Sequence, residues 1–260
     1  MARNRTKKII RAGDLVIETI YPRAERSDSD RVRAAKRKAS SEAQKRMNQI
    51  YSWQKLELML AANFRRGDLW ITLTYDDRHL PQSRAAAQSC VKYFLQKLNA
   101  ERKAAGLPPV VAVWNCERKH RDEDYYQNER WHHHLCLRAT GSDYDMIRRC
   151  WIYGDNLEFR DLKLSPEFTY ERVARYMCKE APELKVGQHC WSYPRSTCRK
   201  PEVETVRVDS DEQLRIPRGS LRLEQDSREN QFSKWAYIKY LAPGWDGTGK
   251  VRAKRGRRAF

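Results

Sequence analysis

The chain has 260 residues and carries 52 Lys and Arg against 34 Asp and Glu, which gives a formal net charge of +18. This excess favours a polyanion such as nucleic acid as the partner, with a basic protein that lacks such a role as the alternative. The absence of a run of eighteen apolar residues argues against a membrane-spanning helix and a membrane partner, and the basic N-terminus lacks the apolar segment of a secretory signal.

The seven cysteines are scattered, and none forms a Cys-x-x-Cys pair. This spacing argues against a zinc ribbon and against a disulfide framework. Reduced thiols in a cytosol fit the pattern better.

The first 66 residues are predicted to form a basic, largely helical N-terminal extension. Residues 14–21 have the composition of a short strand, whereas residues 31–64 contain no Gly or Pro and favour a long helix or a helix pair. Lys and Arg dominate residues 31–46, which indicates either a solvated helix face or an arm that follows phosphates.

Residues 67–201 are predicted to form the central domain. Its first half reads as a strand at 68–75, a helix at 83–104, a strand at 110–116 and a histidine-rich strand at 131–137. The polar residues 121–130 join the last two strands as a hairpin loop.

The second half of this domain is predicted to contain a helix at 143–152 and a strand at 156–160. Ser165 has the chemistry of an N-cap and Pro166 that of a first helical residue, so a helix is expected from there to about Glu180.

Residues 202–248 are predicted to be an extension that packs on the core. It contains a strand candidate at 202–208 and a run with helical spacing at 231–241, in which Phe232 and Trp235 belong to the apolar positions. The last residues, 249–260, form a basic tail that is expected to be disordered and to bind anions.

This order of elements predicts an α+β fold with a central antiparallel sheet and helices packed on one face. The other face of the sheet would then be free for nucleic acid and a metal ion.

The three consecutive histidines at 132–134 are the strongest chemical signal in the chain. On a strand, His132 and His134 share a face at about 7 Å from each other, and they can hold a divalent metal if a third ligand joins them. His133 points the opposite way and is expected to be structural. Glu117 is the favoured third ligand because a hairpin would bring it beside the histidines; Asp122 and Glu123 are alternatives.

Two histidines on one strand face also occur in protein cores without any metal. A third reading is a structural zinc site on His132, His134 and Cys136, whose side chains share one face of the strand.

Tyr176 is the proposed nucleophile, and Lys179 follows it by one helical turn and can stabilise a phosphate or the phenolate. The alternative is an ordinary amphipathic helix that buries Tyr176 and exposes Lys179. Tyr170 is a weaker candidate for a second nucleophile. The basic residues proposed to contact DNA are Arg172, Arg175 and Arg195.

These patterns together resemble the rolling-circle replication initiators of the HUH endonuclease superfamily, especially those of phages and plasmids. The matching segments are residues 70–75, residues 132–134, residues 174–180, the Trp-x-x-Gly at 151–154 and, loosely, residues 193–201. The resemblance departs from the family pattern at His133, where an apolar residue is usual. It departs again at Arg172, where some members have a second tyrosine.

The resemblance implies a ferredoxin-like or RRM-like sheet and a metal-dependent DNA nicking and strand-transfer activity. His132, His134 and Glu117 would hold Mg²⁺ or Mn²⁺, and Tyr176 would attack single-stranded or hairpin origin DNA. The products would be a 5′-phosphotyrosine and a free 3′-hydroxyl that primes a host polymerase, and the reversed reaction would religate the strand. No P-loop motif is present, so a helicase would be a separate chain.

Two further functions stay open on sequence grounds. A relaxase or transposase would use the same chemistry. A nonenzymatic nucleic-acid-binding protein would use the basic ends of the chain, with the histidines as packing residues.

Overall fold

The computed structural model describes residues 5–22, 42–119, 130–180, 184, 188–230 and 233–245. Contacts divide the chain into two compact units, one of residues 1–43 with 200–260 and one of residues 44–199. Among the described residues, no helix has both the length and the apolar character that a membrane span requires.

In chain order the described elements are β1 (Arg5–Ala12), β2 (Leu15–Pro22), α1 (Glu42–Asn63), β3 (Leu69–Thr74), α2 (Arg84–Ala104), β4 (Ala112–Asn115), β5 (Glu117–Lys119), β6 (Arg130–Leu137), α3 (Asp143–Cys150), β7 (Leu157–Asp161), α4 (Glu171–Met177), β8 (Trp191–Ser192), β9 (Glu202–Val208), β10 (Leu221–Asn230) and β11 (Ser233–Leu241). The predicted α+β class is confirmed, because these strands form two antiparallel sheets and the four helices accompany them.

The unit of residues 44–199 contains a six-stranded sheet in the order β7-β3-β6-β4-β8, with β5 paired to β6. All the described pairings in it are antiparallel. Strand β6, which carries the three histidines, is therefore a central strand with β3 on one side and β4 and β5 on the other. Because a central strand is hydrogen-bonded along both edges, its register is fixed and its side chains keep their positions.

One face of this sheet packs against α2 and α3. Alternation along β3 sends Leu69, Ile71 and Leu73 to this face. They meet apolar residues at helical spacing on α2, among them Phe94 and Leu98, both fully buried. The predicted strand and helix in this part of the chain are thus confirmed.

The opposite face packs against α1 and α4, so the prediction of helices on one face only is wrong. Val111 and Val113 point to this face, where they meet Leu56 and Leu60 of α1 and Met177 of α4. The physical reason is visible in the sequence, because an uninterrupted apolar run such as residues 110–113 serves a strand that is buried on both faces.

Helix α4 begins later than the sequence predicted. Ser165 does not cap it: the Ser165 hydroxyl accepts a hydrogen bond from the Thr169 backbone N–H within a turn. Residues 166–170 form turns and bends, and the helix covers only Glu171–Met177. Serine competes for local backbone groups in turns as readily as at helix starts, so the N-cap pattern alone was ambiguous.

The other unit contains a five-stranded sheet in the order β10-β11-β2-β1-β9. The strand predicted at 202–208 is confirmed. The helix predicted at 231–241 is wrong, because residues 233–241 form β11. Ile238 and Tyr240 lie two residues apart on β11 and therefore share one face, which belongs to the core of this sheet. The apolar residues of this segment fit both the helical and the strand period. Aromatic and β-branched residues favour strands, and this preference decides for the strand. Phe232, the basic segment 31–41 and the tail 249–260 lie outside the described residues.

Candidate metal and tyrosine site

The pairing of β5 with β6 determines which side chains meet. Glu117 lies directly opposite His132, and Thr72 of β3 lies directly opposite His134. Directly opposed residues on antiparallel strands project to the same face, and so do residues two apart on one strand. Glu117, His132 and His134 therefore share the face that carries α1 and α4.

The three side chains form a compact set of metal-ligand atoms. The Nε2 atom of His132 lies 3.8 Å from Oε1 of Glu117, and the Nε2 atom of His134 lies 3.4 Å from Oε2. One candidate ligand atom from each residue lies within 4.8 Å of the other two. Two imidazole nitrogens and a carboxylate oxygen at this spacing, nearly removed from solvent, fit a divalent cation.

His134 is oriented by neighbours on three sides. Its Nδ1 atom lies 3.3 Å from the Thr72 hydroxyl, and its ring stacks on Trp70 with centroids 5.0 Å apart. Its backbone N–H donates to the Asn115 side chain at 3.0 Å. An Nδ1–H that donates to Thr72 leaves the Nε2 lone pair facing Glu117, which is the arrangement that a metal-binding histidine needs.

Glu117 is kept ionised by its surroundings. Burial alone would raise the pKa of this carboxyl, but the contacts with His134 and Lys179 outweigh burial and bring the pKa to about 2. The Lys179 ammonium forms an ion pair with Glu117 Oε1. Burial would lower the pKa of Lys179, and the same contact with Glu117 raises it instead. The site thus combines a carboxylate and an ammonium at neutral pH.

Tyr176 of α4 places its hydroxyl at this cluster. The hydroxyl oxygen lies 3.1 Å from His134 Nε2, and the ring meets Trp70 edge-on with centroids 5.9 Å apart. The Lys179 ammonium lies 4.3 Å from the centre of the Tyr176 ring. Tyr176 is 43 % exposed, so the residue is accessible from solvent although its hydroxyl contacts the cluster.

The end of α4 is fastened on both sides. The Asn115 side-chain amide donates to the Met177 carbonyl at 3.2 Å. The Gln49 amide of α1 donates to the carbonyls of Cys178 and Lys179, both at 3.2 Å. These bonds satisfy carbonyls that a helix end leaves free and hold Tyr176 and Lys179 at the cluster.

His133 points to the opposite face, as its position in the strand predicts, and is fully buried. Its Nδ1 atom lies 3.0 Å from the Asn115 carbonyl and its Nε2 atom 2.8 Å from the Tyr75 hydroxyl. A carbonyl only accepts, so Nδ1 carries the proton and Nε2 accepts from Tyr75. Burial lowers the pKa of His133 to about 3, against the opposing effect of the bond to Asn115, so the ring is neutral.

Tyr170 is not brought to this cluster. It precedes α4 and lies in the hydrophobic core with 3 % exposure, and burial raises the pKa of its hydroxyl. Its burial argues against the role of a second nucleophile.

The three arginines proposed to contact DNA are all exposed. Arg175 pairs with Glu171 at 2.8 Å and lies over the Trp53 ring, 4.0 Å from its centroid. Arg195 lines an open cavity beside β8, and Arg172 lies on the outer surface of α4.

The alternative ligand sets fare differently. Asp122 and Glu123 lie outside the described residues. Cys136 is fully buried in the hydrophobic core, burial raises the pKa of its thiol, and the ligand cluster does not include it.

Four residues that position the site were not predicted as site residues: Trp70, Thr72, Asn115 and Gln49. Trp70 and Thr72 lie two residues apart on β3, which pairs with the histidine strand, so the alternation of side chains along both strands predicts their place beside His134. Asn115 sits at the end of β4, two residues before Glu117. Gln49 lies on α1, far away in sequence, and no local pattern marks it.

Comparisons of this chain with protein-family models, with curated proteins and with solved structures found no match.

Proposed function

We propose that this protein is a metal-dependent DNA nickase and strand-transfer enzyme that initiates rolling-circle replication. The observation that carries the proposal is the Tyr176 hydroxyl at 3.1 Å from His134, within the cluster of Glu117, His132 and His134. A tyrosine can cleave a phosphodiester when metal ligands lie beside its hydroxyl and an ammonium lies one turn away.

The metal requirement follows from the donor set. Glu117, His132 and His134 would hold one divalent ion, Mg²⁺ or Mn²⁺. When bound, such an ion supplies Lewis-acid polarisation of a phosphate oxygen.

The covalent step belongs to Tyr176. Its hydroxyl oxygen loses its proton and forms a bond to the phosphorus. The bond from phosphorus to the 3′-oxygen of the preceding nucleotide breaks, and that oxygen takes up a proton. The products are a 5′-phosphotyrosine and a 3′-hydroxyl, which would prime a polymerase. Attack of a 3′-hydroxyl on the phosphotyrosine reverses the step and religates the strand. Lys179 would balance negative charge on the phosphate and the phenolate.

We expect a single strand to bind in a cavity of about 550 Å³ that lies along β7, the edge strand of the sheet. Trp70 lines this cavity and stacks on His134, so the cavity adjoins the cluster. On the α3 side of β7, Phe159 and Tyr144 add two aromatic rings with centroids 4.9 Å apart. The charged residues of the lining are Arg160, Lys163 and Asp161. Aromatic rings among cations hold single-stranded bases and phosphates without demanding one sequence.

The test is a cleavage assay on a denaturing gel. Labelled single-stranded oligonucleotides with origin-like hairpins are incubated with Mn²⁺ and with wild type, Tyr176→Phe or Tyr93→Phe. Tyr93 is an exposed tyrosine of α2, so Tyr93→Phe is the control for loss of a tyrosine hydroxyl elsewhere. We expect a covalent protein–DNA band in wild type and Tyr93→Phe, and none in Tyr176→Phe or in EDTA.

Binding of the oligonucleotides by all three proteins without any covalent band would refute the nickase and favour a nonenzymatic binding protein. A band that persists in Tyr176→Phe would assign the nucleophile elsewhere.

A further inference from the structure

Two cysteines lie side by side immediately behind the tyrosine helix, and the proposed reaction uses neither. The sulfur atoms of Cys178 and Cys190 are 3.3 Å apart. The Ser52 hydroxyl of α1 lies 2.9 Å from the Cys190 sulfur and 3.7 Å from the Cys178 sulfur. Cys178 is fully buried, whereas Cys190 is 6 % exposed.

Cys190 is the sulfur that a small molecule can approach. It lines an open cavity of about 680 Å³ beside β8, together with Lys55, Arg195 and His189. Cationic side chains at a cavity stabilise a thiolate and attract an anionic reagent. The contact with Cys178 lowers the pKa of Cys190, and the same contact raises the pKa of Cys178. Cys190 is thus the attacking thiol, and Cys178 is the thiol that can attack Cys190 in a second step.

We propose that Cys178 and Cys190 form a redox-active dithiol, which a small-molecule disulfide such as glutathione disulfide converts into an intramolecular disulfide. Thiol–disulfide exchange requires an attacking thiol with a second thiol close behind it, and here Cys190 lines the cavity while Cys178 lies buried at 3.3 Å.

The exchange runs in two balanced steps. The Cys190 thiolate attacks one sulfur of the small disulfide, a mixed disulfide forms, and one small thiolate leaves. The Cys178 thiol then loses its proton and attacks the Cys190 sulfur, and the second small thiolate leaves. The two cysteines are oxidised by two electrons, and one small disulfide is reduced to two thiols.

The position of Cys178 links this chemistry to the tyrosine. Cys178 lies between Tyr176 and Lys179 in sequence. Because a disulfide bond is about 2.05 Å long, the Cys178 and Cys190 sulfurs must approach each other by more than 1 Å. Gln49 and Asn115 anchor the carbonyls of this same turn. Oxidation is therefore expected to displace Tyr176 and Lys179 from Glu117 and His134, a consequence that rests on the proposed function.

The test of the dithiol is peptide mapping of the full-length protein. The folded protein is oxidised with excess glutathione disulfide, alkylated, digested with trypsin and examined by mass spectrometry. Tryptic cleavage releases residues 176–179 and residues 186–195, each with one cysteine, so the proposed bond gives one cross-linked peptide. The variants are Cys178→Ser and Cys190→Ser, with Cys150→Ser, a buried cysteine of the opposite sheet face, as the control.

We expect the cross-linked peptide in wild type and in Cys150→Ser. Cys178→Ser should keep the glutathione on Cys190, because the thiol that resolves the mixed disulfide is gone. Without oxidant, Cys190 should react with iodoacetamide at pH 7 at least about tenfold faster than the other buried cysteines. A folded wild-type protein that yields no 178–190 link, or links other cysteines equally, would overturn the proposal.

Nicking provides a second readout that separates the two proposals. Oxidised wild type should lose most of its covalent DNA adduct and regain it with dithiothreitol, whereas oxidised Cys190→Ser should keep it. If reduced wild type forms no adduct, the nickase proposal fails while the peptide map still decides on the dithiol. If the linked protein nicks as fast as the reduced one, control of Tyr176 by this disulfide is refuted.

Discussion

Three identical residues in a row, His132, His133 and His134, have two different roles because of strand geometry. Alternation sends the outer two to the face with Glu117 and the middle one to the opposite face, where Tyr75 and Asn115 bond both ring nitrogens. A substitution at each position should therefore affect a different property.

The metal site should depend on the residues that orient it as well as on its ligands. His132→Ala and His134→Ala each remove a ligand and should abolish measurable Mn²⁺ binding. Thr72→Val keeps the shape of the side chain but loses the partner of His134 Nδ1, and we expect affinity to fall by about 10-fold to 100-fold. The free Mn²⁺ signal in an EPR titration measures this. His79→Ala, whose imidazole pairs with Asp76 outside the cluster, is the control; equal binding by all four variants would contradict the site.

His133 should make stability depend on pH. Its pKa is about 3 in the folded protein, against 6.5 as the ordinary value, so between these limits the unfolded chain binds a proton that the folded one does not. Stability then rises with pH across this window, by up to about 1.4 kcal/mol per pH unit from this group. In His133→Asn, which keeps a donor for the Asn115 carbonyl, urea unfolding from pH 4.5 to 6.5 should show a flatter dependence. Parallel curves for the two proteins would exclude this role.

At the scale of elements, a buried ion pair joins α2 to α3. Arg102 and Asp143 are 1 % and 2 % exposed, and Asp143 also accepts a bond from the Thr140 backbone N–H at 2.6 Å, ahead of α3. Asp143→Ala leaves the buried guanidinium without its carboxylate and should lower the unfolding free energy by about 3–5 kcal/mol in urea denaturation. Asp145→Ala, exposed on the same helix, should change it little. A similar loss in both variants would mean that helix charge, not the pair, matters.

Elements with one strong period were predictable from sequence, and elements with mixed signals were not. Strand β3 alternates cleanly, and α2 repeats apolar residues at helical spacing after a Ser83 N-cap that accepts from Ala86 N–H. Strand β11 fits both periods, and only its pairing with β2 and β10 decides between them. The late start of α4 depends on the turn around Ser165, which no spacing rule reveals.

The candidate site was predictable where it follows from strand register and not where it depends on packing. Glu117 beside His132 follows from a hairpin, and the Tyr176–Lys179 turn follows from helical spacing. That α4 lies over the histidine face, and that Gln49 of α1 anchors its end, follows from the packing of two helices on the second face of the sheet. Such contacts are distant in sequence and leave no local pattern.

For the whole molecule, the net charge of +18 predicts binding to single strands that weakens steeply with salt. If about four phosphates are neutralised, the logarithm of affinity should fall with the logarithm of salt with a slope near −2.8, which is about fifty-fold between 50 and 200 mM. Fluorescence anisotropy with a single-stranded oligonucleotide measures this slope. A charge-removing change in the cavity, such as Lys163→Ala, should reduce it by about 0.7, whereas Arg149→Ala, which lies outside that cavity and pairs with Glu101 of α2, should not. A slope near zero would contradict electrostatic binding.

The residue that becomes attached to DNA identifies the nucleophile directly. Wild-type protein is incubated with an origin-like single strand and Mn²⁺, the DNA is degraded to its terminal nucleotide, and tryptic peptides are sequenced by mass spectrometry. We expect a nucleotide joined through its 5′-phosphate to Tyr176, within the peptide of residues 176–179, and no such mass after chelation. A nucleotide joined to another residue, or cleavage products with no covalent peptide at all, would contradict this expectation.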